Sequence, residues 1–540
     1  MADKKAADRK SDRKAAPAAT SPSSIRNVAL VGPAGSGKTT LMESLLHAAG
    51  VVVRRGSVAD GSTVGDHDPV AVRQGRSVGL SVATVAWKGH VLHLIDTPGY
   101  ADFTGELRAG LRAADAALFV VSSVDGIDGA TARLWDECEF VGMPRAVVVT
   151  NLDKERADFD ETVAVCQRVF TGGGGVQPLF LPVHGDDGVV AGFIDLLDEQ
   201  IWDWSTGSAV VVEAEDRHRE LIETERGSLI EGVVTESEDE DLMERFIGGE
   251  HVEIDQLTVD LEKAVARGHF HPVMGSAASA ANVGAELILD LVVRAFPSPL
   301  EHTLPVVTHI DGSPAEPITA DPDGPLVAEV VKTTSDPYVG KVSIVRVFSG
   351  TLTSDAVVHV SGHFSPGTGH DDHDVDERIG HLTAMVGNAH TDVSGAIAGS
   401  IVAVSKLTRA ETGDTLSSPD LPLLMEPWRM PEPLLPLAIT AHSAGDEDKL
   451  GTALARVVAE DPTLRVAHPE DTGQIVLWTL GEAHADLVLD RLRSRYGVEV
   501  DSAELRASLR ETFSSGGSGN GRLVKQSGGH GQYAVSTEGM

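Results

Sequence analysis

Residues Gly32 to Thr39 read Gly-Pro-Ala-Gly-Ser-Gly-Lys-Thr, a complete match to the G-x-x-x-x-G-K-[ST] phosphate loop. The flanks fit it. Asn27 to Val31 (NVALV) is an apolar run of strand length, and Thr40 to Ala49 puts Leu41, Leu45 and Leu46 on one helical face. The glycines Gly32, Gly35 and Gly37 let the loop backbone, with Pro33, Ala34 and Ser36, close around phosphates, and the helix N-terminus adds partial positive charge. Lys38 can reach the β/γ oxygens, Thr39 offers a hydroxyl to Mg²⁺, and Thr40 opens the helix behind them. Such a chain is committed to an α/β nucleotide-binding domain.

The 540 residues are enough for three or four domains. A formal net charge of −37 argues against non-specific wrapping of nucleic acid, which needs a basic field, though not against docking on RNA through a local patch. Only Cys138 and Cys166 are present, so no disulfide framework supports the fold and a reducing interior suits it. No run approaches the roughly 18 apolar residues of a membrane span. The lysines of the N-terminus precede no hydrophobic segment, so it does not read as a secretory signal. A cytoplasmic monomer without a membrane contact is expected.

The texture of the chain changes several times. Residues 1–24 are Ala/Lys/Ser/Pro-rich and expected to be a disordered tail. Residues 25–300 alternate strand-like runs (HVLHLID, AALFVVS, RAVVVT) with helical stretches, the pattern of a mostly parallel sheet covered by helices. An acidic subdomain with helical patterns is inserted at about 185–270. Residues 303–417 show alternating β runs (LVAEVVKTT, GKVSIVRVFSG, AVVHVSG) that suggest a β-barrel. Its His363 to His373 segment (HFSPGTGHDDH) invites a metal reading, but the spacing matches no specific site and a hairpin loop is expected. Residues 434–507 read as a compact α/β sandwich. Residues 508–540, Gly/Ser-rich and poor in apolar groups, cannot make a core alone and are expected to be poorly ordered.

Asp96-Thr97-Pro98-Gly99 follows the strand HVLHLI. An aspartate there can hold the Mg²⁺ shell, and the glycine lets a backbone N–H meet the γ-phosphate. A base-specificity box Asn-Lys-x-Asp should follow RAVVVT. Here it reads Thr150-Asn151-Leu152-Asp153, which keeps the carboxylate for guanine ring N–H groups but lacks the stacking lysine. Gly275-Ser276-Ala277 fits a box that meets the guanine oxygen through backbone N–H groups. GTP and GDP are the expected ligands, with weakened selectivity.

At this point the chain resembles elongation factor G, the ribosomal translocase. TTSDPYVGKVSIVRVFSG is similar to that family's second domain, EDPTLRV with GEAHADLVLDRLRSRYGVEV to its third, and GRLVKQSGGHGQYA to the opening of its fourth. The resemblance implies an α/β P-loop GTPase domain, a β-barrel domain and a ferredoxin-like α/β sandwich, with 508–540 as a truncated start of the fourth domain. It implies GTP hydrolysis with Mg²⁺ on Thr39 and Asp96, and action on the ribosome, through its RNA and the stalk protein of the large subunit. Features of the chain look like the divergent second paralogue of that family.

Three departures accompany the likeness. Tyr100 stands where the family has the histidine that positions water, and a phenol with reference pKa near 10 is a poor base at neutral pH. The switch threonine that joins the Mg²⁺ shell aligns with Gly79, unless the register shifts and Ser77 or Ser81 substitutes. Lys38 and Tyr100 are therefore the catalytic candidates, with weak hydrolysis expected. The third departure is length: the likeness stops at Tyr533-Ala534, which implies impaired translocation and leaves a truncated product or an incomplete gene reading open. A guanine-nucleotide-dependent ribosome ligand with little hydrolysis, or an inactive fragment, are the alternatives.

Overall fold

The computed structural model describes residues 16–66, 68–170, 175–248, 253–278, 282–336, 340–363, 370–507, 516–526, 528–529 and 531–539. The nucleotide domain is built on a sheet of order β2-β3-β1-β4-β5-β11-β6. Its strands are β1 (Ile25–Val31), β2 (Ser81–Trp87), β3 (His90–Asp96), β4 (Ala116–Ser122), β5 (Arg145–Thr150), β6 (Gly175–Pro178) and β11 (Phe270–Gly275). All pair in parallel except β2, which runs antiparallel to β3. All residues of β1, β4 and β5 are buried, which is why they read as continuous apolar runs rather than alternating ones.

Helices α1 (Lys38–Ala48), α2 (Pro69–Gln74), α3 (Thr104–Ala113), α4 (Gly129–Phe140), α5 (Phe159–Val169) and α9 (Ala285–Ala295) accompany this sheet. Leu41, Leu45 and Leu46 of α1 are completely buried, each contributing roughly 1.5–3 kcal/mol of apolar burial. The crossover from β1 into α1 puts the phosphate loop at the carboxyl edge of the sheet, where such folds bind ligands.

The acidic insertion starts with strands that the helical patterns did not reveal. β7 (Phe180–His184), β8 (Val190–Asp195), β9 (Gln200–Asp203) and β10 (Val210–Glu213) form an antiparallel sheet before α6 (Asp216–Ser237), α7 (Glu240–Ile247) and α8 (Ile254–Ala266). These strands are short, and their burial signal is overridden by polar turn residues. Phe193, Trp204, Leu229, Val233 and Leu261 join the core of the nucleotide domain, so the insertion is not an independent unit.

The barrel expected at 303–417 is present, and it closes around Val330, Val345, Val347, Leu352, Val358, Val360, Leu382 and Leu416. Val307–His309 pairs with Leu423–Met425 beside it, extending the domain past its expected end. One strand of the barrel, Leu382–Val386, reaches β2 through the pair Val386–Ala83 and makes the two domains share a sheet edge. A buried ion pair also ties the two domains. Arg346 of the barrel and Asp115, just before β4, are both 1% exposed and 2.8 Å apart. Asn27 of β1 donates to Asp115 Oδ2 and to the Gly399 carbonyl, which also accepts from Arg346.

The third domain runs Leu435–Ala441, α10 (Ala444–Glu460), Arg465–Ala467, Ile475–Thr479, α11 (Glu482–Ser494) and Val500–Ala503. Its four strands make one antiparallel sheet with the βαββαβ order expected of a ferredoxin-like sandwich. Beyond it, Ser518–Lys525 and Gln532–Gly539 pair as a hairpin whose described side chains are exposed. Where poor order was expected there is local β pairing without a core. Of the N-terminal tail, residues 1–15 lie outside the described residues. The rest is placed: Pro17–Ala19 lie over His93 and Ile401, and Pro22 is buried.

Candidate nucleotide site

The geometry of the glycine loop follows from where a Cβ would collide. One on Gly32 would lie 2.2 Å from the Val120 carbonyl oxygen, and Gly37 caps α1 in a left-handed conformation at φ 89°. Lys38, 6% exposed, donates from Nζ to the Gly32 and Pro33 carbonyls at 2.8 and 2.9 Å. Thr97 Oγ1 donates to the Leu30 carbonyl, which fixes the turn after β3. Past Pro98, the Gly99 backbone comes so close that its Cβ would meet Gly32 O at 2.4 Å and Ala34 N at 2.6 Å. Two loops that are distant in sequence therefore share one wall.

Oxygen donors converge beside that wall. Thr39 Oγ1 donates to Asp96 Oδ2 at 2.7 Å and lies 3.4 Å from Ser77 Oγ, which donates to Asp66 Oδ2 at 2.9 Å. Burial pushes the Asp96 carboxyl up to about 7, against the pull of Lys38, while burial pulls the Lys38 ammonium down to about 8. Asp96 Oδ1 is buried with no hydrogen-bond partner among the described residues. A set of hard oxygens with one unspent carboxylate oxygen fits Mg²⁺ and would not suit a soft metal.

Ser77, the register-shifted alternative to Gly79, is the residue whose hydroxyl lies beside that of Thr39. Gly79 faces a different group altogether, with the place of its Cβ 2.7 Å from Lys332 Nζ and 3.4 Å from Glu106 Oε1. Ser81 is close as well, its Oγ 3.0 Å from the Cβ position of Gly65. A side-chain hydroxyl is thus retained at this point of the site. Asp66, which the sequence reading missed, carries no motif that would have marked it.

Tyr100 is 41% exposed, and the Arg76 guanidinium lies 4.7 Å from its ring centroid. This cation–π contact, worth ~0.5–1 kcal/mol at an exposed site, ties Tyr100 to the segment that carries Ser77.

In the base box, Thr150 Oγ1 donates to the Ser36 carbonyl at 2.6 Å and to Val121 at 3.1 Å, tying this loop to the phosphate loop. Asn151 adopts φ 60°, a conformation asparagine tolerates, and its side-chain amide donates to Ser122 Oγ. The Asp153 carboxylate is 3.9 Å from Lys154 Nζ. The third box departs from expectation. The N–H groups of Ser276 and Ala277 are already spent on the Val149 and Val283 carbonyls. Ser276 Oγ, buried and without a partner among the described residues, is the polar group left over there.

The histidines of the barrel hairpin are used in pairs with carboxylates: His363 with Asp374, His359 with Asp376, His370 with Glu411 and His373 with Asp414. Among the described residues no three His, Cys, Asp or Glu side chains are grouped to hold a metal ion, and residues 364–369 of this segment lie outside the described residues. The hydrogen bond to Asp414 raises His373 to about 9. The folded chain then holds a proton that the unfolded chain gives up near pH 6.5. The stabilisation is complete below pH 6.5 and is lost as pH rises to 9. Thermal melting across that range should fall for the native chain, and His373→Gln should remove that component of the fall.

Residues 23–298 match the elongation factor Tu GTP binding domain, residues 325–419 elongation factor G domain 2, and residues 430–504 elongation factor G domain III. The chain belongs to the elongation factor G family. An elongation factor G-like protein of Mycobacterium tuberculosis, found in strains CDC 1551 / Oshkosh and H37Rv, is 54% identical over 527 residues. The match covers 96% of this chain and 72% of that protein. A solved protein from Thermus thermophilus superposes with a TM-score of 0.80 at 34% identity, covering 95% of this chain and 72% of that one. As in other elongation factor G chains, a GTPase domain is followed by domains II and III. No helix of the described residues is long and apolar enough to cross a membrane.

Proposed function

We propose that this chain is a guanine-nucleotide- and Mg²⁺-dependent translational GTPase that acts on the ribosome during elongation, with hydrolysis slowed at Tyr100. The observation that carries the reading is the convergence of Thr39, Asp96, Ser77 and Asp66 beside Lys38. Lys38 would leave its carbonyl partners for the β/γ oxygens of GTP. Thr39, Asp96 and Ser77 would hold Mg²⁺, with Asp66 orienting Ser77. When bound, that ion neutralises charge on the phosphate oxygens. Asp153 would accept from the guanine ring, and Ser276 Oγ would supply a donor where the backbone N–H groups cannot.

Water positioning falls to Tyr100, which can donate or accept one hydrogen bond but is a poor base at neutral pH. Because Ser77 retains the switch hydroxyl, one group of the reaction is altered rather than two. The acidic insertion is suited to the ribosomal stalk protein, and a cytoplasmic monomer fits the role.

Single-turnover hydrolysis of labelled GTP, with and without ribosomes, tests this reading. Stimulated but slow turnover is expected, and Tyr100→His should raise the stimulated rate ~10-fold or more. Bound GTP that survives at saturating ribosomes would replace it with the second reading that Tyr100 favours, a nucleotide-dependent ribosome ligand. An unchanged rate in the histidine variant would move the limit away from Tyr100.

A further inference from the structure

The barrel strand Val327–Asp336 carries a β-bulge between Val330 and Lys332. The bulge brings Val331, 1% exposed, into the core of the nucleotide domain, and re-aims the next side chain. Lys332 consequently crosses the domain boundary. Its Nζ donates to Glu106 Oε2 at 2.8 Å and to the Leu80 carbonyl at 3.2 Å, and Glu106 Oε2 also accepts the Leu80 N–H at 2.8 Å. Both charged side chains are largely buried, 12% and 18% exposed.

The positions of these partners matter. Leu80 lies three residues after Ser77 and leads directly into β2; Glu106 lies in α3, six residues after Tyr100. One ammonium group from the barrel therefore fastens the exit of the segment that carries Ser77 to the helix that follows Asp96, Gly99 and Tyr100. Gly79 is what lets it in. A methyl group there would sit 2.7 Å from Nζ, so Nζ would have to shift from its present place between Glu106 and Leu80.

We infer that Lys332 is a positioning residue: through Glu106 and Leu80 it holds the Ser77 and Tyr100 segments in fixed mutual register and couples triphosphate recognition to the docking of the barrel. Gly79 is the steric opening that this clamp requires. The inference rests on the nucleotide-site reading above. Ser77 and Gly99 would meet the γ-phosphate and its ion, so loss of the clamp acts on GTP and leaves GDP nearly untouched.

The test uses the full chain with Lys332→Met, Lys332→Arg and Glu106→Gln. Titration with fluorescent GDP and with a non-hydrolysable GTP analogue should show the analogue weakened ~10-fold in Lys332→Met, within the usual range of coupling between sites. GDP should change by less than about twofold, the arginine variant should recover part of the loss, and the Met/Gln double variant should be no worse than either single one. Equal weakening of both nucleotides, or none, would overturn the clamp.

Hydrogen exchange supplies a readout free of nucleotide. In Lys332→Met the Leu80 amide should gain ~10-fold in exchange rate beyond any change at the amides of β1 and β4, because its acceptor is released. Unchanged exchange would also overturn the inference. If the native chain binds neither nucleotide, the nucleotide reading fails, while exchange at Leu80 still decides whether the clamp exists.

Discussion

Replacing Lys38 by alanine is expected to lower ribosome-stimulated GTP hydrolysis by ~10²–10³, the usual result of removing one preorganised donor from a phosphoryl-transfer site. The ammonium group sits inside the glycine loop, bonded to Gly32 and Pro33, and is already desolvated. It would reach phosphate oxygens by exchanging these partners, and its charge would then act at low dielectric. Lys38→Arg should not restore the rate, since a planar fork does not fit a pocket shaped for a compact ammonium. Stopped-flow binding of GDP and quenched-flow hydrolysis separate the effects. GDP binding should weaken less than hydrolysis, and equal losses would mean that Lys38 supplies only ground-state binding.

The second large effect concerns stability. Arg346→Ala should cost about 3–5 kcal/mol, because it strands the Asp115 carboxylate, 1% exposed, without its cation. Asn27 would remain as a donor to that carboxylate, but a neutral amide cannot replace the charge. The loss should appear in urea unfolding as a lower midpoint, or as separate unfolding of the barrel and the nucleotide domain. Replacing the pair together, Arg346→Met with Asp115→Leu, should be close to neutral, since it removes both buried charges. A double variant as unstable as Arg346→Ala would show that the Gly399 and Asn27 hydrogen bonds carry the interface instead.

The first effect rests on contacts within one loop and the second on residues far apart in the chain, and this divides what the sequence shows from what it does not. The phosphate loop was legible because its chemistry is local: Gly32, Gly37, Lys38 and Thr39 act within one loop and one helix turn. Asp96 was legible because it ends an apolar strand of the right length. The choice among Gly79, Ser77 and Ser81 stayed open in the sequence because that segment has no periodicity to fix its register, and packing places the Ser77 hydroxyl beside Thr39. The donors expected of Ser276 and Ala277 failed for a related reason. Backbone N–H groups are spent by tertiary pairing, with Val149 and Val283 here, and sequence does not show that accounting. The strands of the insertion were hidden by their short length and polar turns.

The sequence by itself determined the ligand class and the order of domains, since a phosphate loop, a DTPG turn and the textures of barrel and sandwich are written in contiguous residues. The tertiary structure alone decided which hydroxyl faces Thr39, that Asp66 stands behind it, and that a barrel lysine reaches both switch segments. The physical reason is that hydrogen bonds and buried charges select partners by distance in space. Glu106 and Lys332 meet only because a bulged strand and a glycine allow it.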